Sequence, residues 1–233
     1  MEKAYDIGII GAMKPEVETI IGMLEQASSE SISGVNFHTG MLYGKRVVVA
    51  MCGVGKVFAA LTAEAMILKY APGLIVNTGV GGALNPALRP LDIVCAERAL
   101  QHDMDTSPIG DPKGLISGIN RIYFDADRRA TDILSDLGRE MGVSVTRGTV
   151  ATGDRFVSSR EDKLMIRECF SADVCEMEGG AIAHVAFVNS TPFVIIRAIS
   201  DSADGDASMD YSEFLPRAAK ISTELTLGLV RKY

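Results

Sequence analysis

Short apolar runs alternate along this chain with segments in which apolar residues recur every three or four positions. The runs at 6–11 (DIGIIG), 74–79 (LIVNTG) and 193–200 (FVIIRAIS) have the length and composition of strands. Because the last run is almost continuously apolar, it predicts a central strand that is covered on both faces. Further strands are predicted at 92–100, near 144–151 and near 172–176.

Helical periodicity occupies the segments between the strands. Starting at Pro15, the stretch EVETIIGMLEQ places Val17, Ile20, Ile21 and Leu24 on one helical face, and proline is favoured in a first turn. Other helices are predicted at about 57–70, near 127–141, near 161–169 and near 179–189, and over a C-terminal segment with Phe214, Ala218, Ile221, Leu225 and Leu229 on one face. Helices and strands are therefore expected to alternate through the chain.

Two further segments complete the pattern. The sequence GVNFHTGMLYGKRVVVAMC predicts a hairpin that turns near Gly44–Lys45, and residues 103–120 are rich in Pro, Gly, Ser and Asp, which predicts a long loop. No repeat and no linker divides the sequence. We therefore predict a single domain over residues 1–233 with an α/β fold, a three-layer α/β/α sandwich around a mixed, mostly parallel central sheet. In such folds ligands bind at the carboxyl ends of the strands.

The charge of the chain limits its expected partners. Lys and Arg number 23 and Asp and Glu 30, which gives a net charge of −7, and no basic run is present. Such a chain should be repelled by nucleic-acid phosphates and is not attracted to an anionic membrane, so neither partner is expected. The N-terminal sequence MEKAYDIGIIGAM lacks the long apolar region of a signal peptide, and no apolar run approaches the roughly 20 residues of a membrane span. We expect a cytoplasmic protein.

The cysteines and histidines argue against a disulfide framework and against a metal site. Cys52, Cys95, Cys169 and Cys175 have no CxxC spacing, and most of them stand in apolar runs, so buried reduced thiols are expected. The 3 histidines have neither the HExxH pattern nor a paired spacing, so no zinc site is predicted.

Two glycine-rich stretches resemble nucleotide-binding motifs but do not satisfy them. The GVGK sequence at 53–56 would need glycine where Ala50 stands and serine or threonine where Val57 stands, so a phosphate-binding P-loop is disfavoured. The GVGGAL sequence at 79–84 has Leu84 where a dinucleotide-binding fingerprint needs its third glycine. A dinucleotide-dependent oxidoreductase is therefore poorly supported.

The glycines at the end of the 74–79 run allow two interpretations. Gly79, Gly81 and Gly82 lack a Cβ, so the backbone there can approach a small group closely. The same residues would also suit a tight turn between a strand and a helix. The sequence favours neither interpretation.

Three carboxylates each follow a strand-like run. Glu16 comes soon after the run at 6–11, Glu178 follows ADVCEM, and Asp201 directly follows FVIIRAIS. In a doubly wound sheet these three strand ends could meet at one face, which would place the carboxylates in one pocket. A single carboxylate at such a position is more often a helix cap or a first-turn acid, so the pocket is a hypothesis based on all three.

Arg197 is the one charged residue within its apolar run. It stands four positions before Asp201, so the two side chains are expected on the same face of the strand. A buried charge needs a partner or a function. One interpretation is an ion pair with Glu16 or Glu178, and the other is a group that orients a reacting water, and both could hold.

At this point the sequence resembles a known family. In order, the chain contains the motifs GIIGAMKPEVE, GVGKVFAA, NTGVGGAL, HDMD, ATGDRFV, EMEGGAIAHV and RAISDSAD. They resemble the motifs of bacterial 5′-methylthioadenosine/S-adenosylhomocysteine nucleosidases, a family of the nucleoside phosphorylase superfamily, from about residue 6 to 225. The resemblance implies a nucleoside phosphorylase-like fold, hydrolysis of an N-glycosidic bond, no cofactor and no metal, and a homodimer.

The resemblance also implies roles for individual residues. Asp201 matches the general acid that protonates purine N7, and the apolar surroundings at 193–199 should favour the protonated form. Glu16 matches the base for the attacking water, and Arg197 is its expected orienter. Glu178 matches the residue that accepts hydrogen bonds from the ribose hydroxyls. The remaining substrate contacts implied are Met177 on the sugar, Phe156, Val157 and Ser200 at the adenine, Tyr211 at the 5′ substituent, and Glu176, Gly82, Val80, Val54 and Met13 elsewhere.

The sequence departs from the family pattern at three places. Val80 stands where many relatives have serine, Tyr211 stands where phenylalanine is common, and the loop after HDMD reads TSPIGDPKG. In the family this loop helps to form the 5′ pocket of the neighbouring subunit. The sequence therefore does not rank methylthioadenosine, S-adenosylhomocysteine, 5′-deoxyadenosine and aminodeoxyfutalosine as substrates.

Two rival functions remain to be compared. A phosphorylase of the same superfamily would need cationic groups around phosphate, whereas the N-terminal loop offers Glu16 and only one nearby cation, Lys14. A non-catalytic adenosine-binding protein would not need an acid and a base on opposite sides of a sugar. Hydrolysis of a small nucleoside is the function that the sequence favours.

Overall fold

The computed structural model of the chain describes residues 4–201 and 207–233, without the side chains of 207–210. Ten strands form one continuous sheet. The strands are β1 (Tyr5–Gly11), β2 (Glu25–Ile32), β3 (Val35–Leu42), β4 (Lys45–Met51), β5 (Pro72–Ala83), β6 (Ile93–Gln101), β7 (Phe124–Asp125), β8 (Val145–Thr152), β9 (Val174–Glu176) and β10 (Phe193–Asp201). The helices are α1 (Lys14–Gly22), α2 (Lys56–Tyr70), α3 (Arg128–Met141), α4 (Arg160–Phe170), α5 (Gly179–Val188) and α6 (Ala207–Lys232).

The sheet is mixed and closes on itself at one end. Its strand order is β10-β6-β8-β9-β5-β1-β4-β3-β2, and β10 also pairs with β5, so five strands form a ring. β5 runs parallel to both β1 and β10. Because parallel strands end at the same edge of a sheet, the carboxyl ends of these three strands meet.

Helices cover both faces of the sheet. One apolar core lies between the sheet and helices α2 and α5, and a second lies between the sheet and helices α1, α3 and α6. β10 is buried along its whole length, as expected for a central strand. The predicted α/β class with a mixed central sheet is confirmed.

The predicted first helix is too long. α1 ends at Gly22, so Leu24 lies beyond the helix, although its side chain is still in the core. Residues 25–32 form strand β2 instead, which was not predicted. β2 is exposed along nearly its whole length, so it has neither the apolar run nor the alternation that identifies a strand in sequence.

The remaining elements follow the sequence pattern closely. The hairpin of β3 and β4 turns at Tyr43 and Gly44, both with positive φ. The predicted loop at 103–120 contains a short 3-10 helix at Ser107–Ile109 and an isolated bridge from Ile116 to Arg121. Within 4–201 and 207–233, no helix combines the length and hydrophobicity needed to cross a bilayer.

Candidate active site

A cavity lies where the carboxyl ends of β1, β5 and β10 meet. Thirteen of its lining residues were predicted from the sequence, and they are Met13, Glu16, Val54, Val80, Gly82, Phe156, Val157, Glu176, Met177, Glu178, Ser200, Asp201 and Tyr211. The other lining residues are Ala12, Gly81, Arg155 and Cys175. Arg197, which was also predicted, lies behind the cavity wall rather than in it.

Glu16 is a buried carboxylate held by backbone groups. It lies in the first turn of α1, only 2% exposed, and its Oε2 accepts the N–H groups of Ala12 at 2.7 Å and Met13 at 2.9 Å. Its Oε1 accepts the Val80 N–H at 3.3 Å. Burial raises the pKa of Glu16, against the lowering effect of these backbone donors and of Arg197. Glu16 is therefore both an acidic residue in the first turn of a helix and a residue that lines the cavity, the two positions that the sequence left open.

The glycines of β5 make room for two carboxylates. A Cβ on Gly79 would lie 2.8 Å from Oε1 of Glu16, and one on Gly82 would lie 2.8 Å from Oδ2 of Asp201. Both glycines are inside β5, so the alternative of a strand-to-helix turn is wrong. Close approach, the other interpretation, explains them, since any side chain here would displace a carboxylate.

Glu178 reaches across the cavity to the loop that precedes α2. Although it occupies the N-cap position of α5, its carboxylate accepts no cap hydrogen bond, and Oε1 accepts the Gly55 N–H at 2.9 Å. Burial and the neighbouring charge of Glu176 raise the pKa of Glu178 to about 7. This carboxylate therefore gains or loses its charge near neutral pH.

Arg197 pairs with Glu176, not with Glu16 or Glu178, the two partners that one interpretation of the sequence offered. Its Nη2 donates to Oε2 of Glu176 and to the side-chain oxygen of Asn77, and each partner of the ion pair is 2% exposed. That interpretation was wrong because the carboxylate that lies against the guanidinium is Glu176, at the end of β9, whereas Glu178 extends from the start of α5 to the Gly55 N–H. Burial opposes ionisation of Glu176, but the charge of Arg197 and the hydrogen bonds from Thr152, Gly179 and Arg197 together outweigh it and lower the pKa of Glu176.

Both carboxylate oxygens of Glu176 accept hydrogen bonds from groups of the protein itself. Besides Arg197, it accepts the Thr152 hydroxyl and the N–H groups of Glu178 at 3.0 Å and Gly179 at 2.7 Å. These bonds tie the start of α5 to the end of β8. Glu176 thus fixes the backbone from which Glu178 extends, which sequence could not reveal.

Asp201 ends β10 with both of its oxygens engaged. Oδ1 accepts the Ser200 hydroxyl at 3.0 Å, and Oδ2 accepts the ammonium of Lys163 at 2.9 Å. Both side chains of this ion pair are 3% exposed. A cation beside Asp201 was not foreseen in the sequence, where only apolar surroundings were expected. The cap alternative for Asp201 involves residues 202–206, which lie outside the described residues.

An aromatic wall closes another side of the cavity. The ring of Phe156 meets that of Tyr211 edge to face, with centroids 5.5 Å apart and planes at 79°. The Tyr211 hydroxyl donates to the sulfur of Met13 at 3.4 Å. Phe156 is 47% exposed, so its face is available to stack on a flat ring.

Comparison with known proteins gives the family of this chain. Residues 6–231 match the phosphorylase superfamily. The chain is 36% identical to a 5′-methylthioadenosine/S-adenosylhomocysteine nucleosidase of Haemophilus influenzae, over 96% of this chain and 98% of the relative. It is 33% identical to an aminodeoxyfutalosine nucleosidase of Campylobacter jejuni, over 97% and 98% of the two chains.

Solved structures agree with the sequence relatives. The fold superposes on 5′-methylthioadenosine/S-adenosylhomocysteine nucleosidase from Neisseria meningitidis, in complex with methylthio-immucillin-A, with a TM-score of 0.94 and 35% identity over 98% of this chain and 100% of that one. The match thus extends over the whole architecture, including the strands that carry the site. This chain belongs to the phosphorylase superfamily and, within it, to the family of the 5′-methylthioadenosine/S-adenosylhomocysteine nucleosidases.

Proposed function

We propose that this protein hydrolyses the N-glycosidic bond of 5′-modified adenosines such as methylthioadenosine and S-adenosylhomocysteine, releasing adenine. The observation that carries the proposal is the placement of two buried carboxylates, Glu16 and Asp201, in one cavity beside the same strand. They adjoin Gly79 and Gly82 of β5. Three residues of extended strand span about 10 Å, enough to place a nucleoside between an acid and a base.

The bond-breaking step would begin at the base. Asp201, once protonated, donates to purine N7, and the electron pair of the C1′–N9 bond moves to the purine. The ribose becomes oxocarbenium-like, as in glycoside hydrolysis. Glu178 would accept hydrogen bonds from the ribose hydroxyls, and its charge would stabilise the forming cation.

The second half of the reaction would add water at C1′. Glu16 lines the cavity, and its two oxygens are held unequally: Oε2 accepts two backbone donors at 2.7 and 2.9 Å, whereas Oε1 accepts the Val80 N–H at the longer distance of 3.3 Å. Because burial raises the pKa of Glu16, the carboxylate is a stronger base than an exposed one. The water oxygen bonds to C1′ and its proton passes to Glu16. Arg197 would act from behind the wall, through its charge on Glu16 and its ion pair with Glu176.

The charge of the cavity favours water over phosphate as the nucleophile. Among the described residues, the cavity lining has four carboxylates, Glu16, Glu176, Glu178 and Asp201, against one cation, Arg155, which pairs with Asp162. Lys163 and Arg197 lie behind the lining, and each is already paired with one of these carboxylates. Such a site would repel a phosphate dianion. Lys14 points away from the cavity, where its side chain is 78% exposed and pairs with Glu18.

We expect adenine release from methylthioadenosine in phosphate-free buffer, at a rate that added phosphate does not increase. The reason is the excess of negative charge around the position of the nucleophile. Adenine is followed by its absorbance or by chromatography, and the sugar product is identified by mass. Release that requires phosphate would identify a phosphorylase, and tight binding of the nucleoside without release would identify a binding protein.

Substrate affinity should depend on pH through Glu178. A carboxylate with a raised pKa is charged above that pKa and loses its charge as pH falls, so ribose binding should weaken below about 7. We expect the Kd of a 7-deaza analogue of methylthioadenosine, which has no N7 to protonate, to rise roughly tenfold between pH 8 and pH 5.5. Isothermal titration calorimetry measures this change.

Two variants test whether Glu178 causes that change. Glu178→Gln should bind weakly at every pH in this range, without the slope. Glu16→Gln should keep the slope, because it leaves Glu178 in place. If the pH dependence of Kd disappears in Glu16→Gln and persists in Glu178→Gln, Glu16 rather than Glu178 causes it, and the prediction is wrong.

We further propose that the protein is a cytoplasmic homodimer, in which each chain forms one domain over residues 1–233. Its proposed role is to recycle thioether nucleosides in methionine salvage and the methyl cycle. Four free cysteines suit a reducing compartment. Large apolar side chains are exposed in one chain along α2 and in the 103–120 loop, and a second chain packed against them would remove them from water. These side chains are Val57, Phe58, Leu61, Leu68 and Ile109. Light scattering that gives the mass of one 24.9 kDa chain would contradict the dimer.

A further inference from the structure

Lys163 reaches the active site from a helix that contains none of the predicted site residues. The buried side chains of α4 are Lys163, Ile166 and Phe170, at the i, i+3 and i+7 spacing of a core-facing stripe. A lysine in such a stripe is costly unless its charge is satisfied. Its ammonium donates to Oδ2 of Asp201 at 2.9 Å, and both side chains are 3% exposed.

The Asp201 carboxyl group is restrained from three directions. Lys163 holds Oδ2, the Ser200 hydroxyl holds Oδ1 at 3.0 Å, and the backbone of Gly82 lies so close that a Cβ there would come within 2.8 Å of Oδ2. The same Ser200 hydroxyl has a second acceptor within reach, the carbonyl of Gly81 at 3.3 Å, which lies on the same strand as Gly82. Of these restraints, only Lys163 carries a charge.

We propose that Lys163 is a positioning residue for the proton transfer, acting through Asp201. This inference rests on the proposed hydrolysis. When the Asp201 O–H proton moves to N7 and the C1′–N9 electron pair moves to the purine, Asp201 becomes a carboxylate. The proton is carried on Oδ1, with the Ser200 hydroxyl turned to the Gly81 carbonyl at 3.3 Å. Once the proton has left, the charge is shared by both carboxylate oxygens, and the ammonium, already 2.9 Å from Oδ2, stabilises it without moving.

A purely structural role would give a different result. If Lys163 only neutralised a buried charge, its loss would weaken folding or slow every reaction at this site equally. If it supports the acid, its loss should slow only those substrates whose leaving group needs a proton. Adenine needs one, whereas 4-nitrophenolate leaves as a stable anion.

The test compares two substrates in the full-length protein. Wild type, Lys163→Met and Lys163→Arg are assayed with methylthioadenosine and with 4-nitrophenyl 5-methylthio-β-riboside, each at the pH of its own maximum. We expect Lys163→Met to lower kcat for adenine release about tenfold or more, while kcat for nitrophenolate release changes less than about threefold. Lys163→Arg, which keeps the charge, should recover most of the loss. The exposed Lys220→Met is the matched control, because its side chain is 77% exposed.

A double variant provides the second readout. If Lys163 acts through Asp201, Lys163→Met combined with Asp201→Asn should release adenine no more slowly than Asp201→Asn alone. Additive losses, equal losses with both leaving groups, or a Lys163→Met rate equal to that of wild type would each overturn the inference. If no variant accepts the nitrophenyl riboside, the double variant decides alone. Absence of adenine release from wild type would instead refute the proposed function.

Discussion

Replacing Asp201 by asparagine should slow adenine release by about 10²–10⁴-fold, the usual contribution of general acid catalysis. Asparagine keeps the size of the side chain and can still donate a hydrogen bond to N7, but its amide is not acidic enough to transfer a proton. Without protonation the purine would have to leave as an anion. The measurement is kcat for adenine release from methylthioadenosine, with the 7-deaza analogue as a binding probe.

The control must separate catalysis from stability. Asp201→Asn removes one charge of the buried Lys163–Asp201 ion pair, and breaking a buried ion pair typically costs about 3–5 kcal/mol of unfolding free energy. We therefore expect a lower Tm together with retained binding of the analogue at 25 °C. Asp136→Asn, whose side chain is 56% exposed, should change neither rate nor Tm. An Asp201→Asn protein that binds the analogue and hydrolyses at the wild-type rate would exclude Asp201 as the acid.

Replacing Glu16 by glutamine should reduce hydrolysis by a comparable factor, about 10²–10⁴-fold. The amide oxygen of glutamine can still accept the N–H groups of Ala12 and Met13, so the loop before α1 should keep its conformation. What is lost is the group that accepts the proton of water. Single-turnover adenine release measures the loss without interference from product release.

A smaller side chain gives a sharper version of the same test. In Glu16→Ala, azide can enter the space left by the carboxylate and attack C1′ without a base. We expect azide to restore adenine release, with the methylthioribosyl azide as product, identified by mass. Glu18→Gln on the same helix, with a side chain 53% exposed, is the control and should behave as wild type. Failure of azide in Glu16→Ala, or full activity of Glu16→Gln, would contradict the role of base.

The carboxylates of the site could be predicted because each follows an apolar run. Glu16, Glu178 and Asp201 stand after strand-like segments, and parallel strands bring their carboxyl ends together. The resemblance to a family added the roles. The pattern of apolar residues also predicted the bounds of most strands and helices to within a few residues. The pattern is clear because β10 is buried on both faces and the helices bury one face.

The partners of these carboxylates could not be predicted. Lys163 stands in REDKLMIRECF, a sequence that is charged on most of its positions, so it resembles a solvated helix. Its i, i+3, i+7 relation to Ile166 and Phe170 was the available signal. The partner of Arg197 was missed for another reason, since the sequence does not show which of the two nearby carboxylates, Glu176 or Glu178, the end of β9 places against the guanidinium.

The long open edge of the sheet has a consequence for solubility. At one end of the sheet, the pairing of β5 with β10 closes the strands into a ring. At the other end β2 pairs with β3 on one side, and no strand of the described residues pairs with its other side. An unpaired strand edge can recruit a second chain and start aggregation. β2 reads EQASSESI, exposed almost throughout, and its pairing is interrupted between Glu25 and Ser28. Serines, glutamates and an irregular backbone make this edge a poor template for intermolecular strand addition, so the protein can present it to solvent at high concentration.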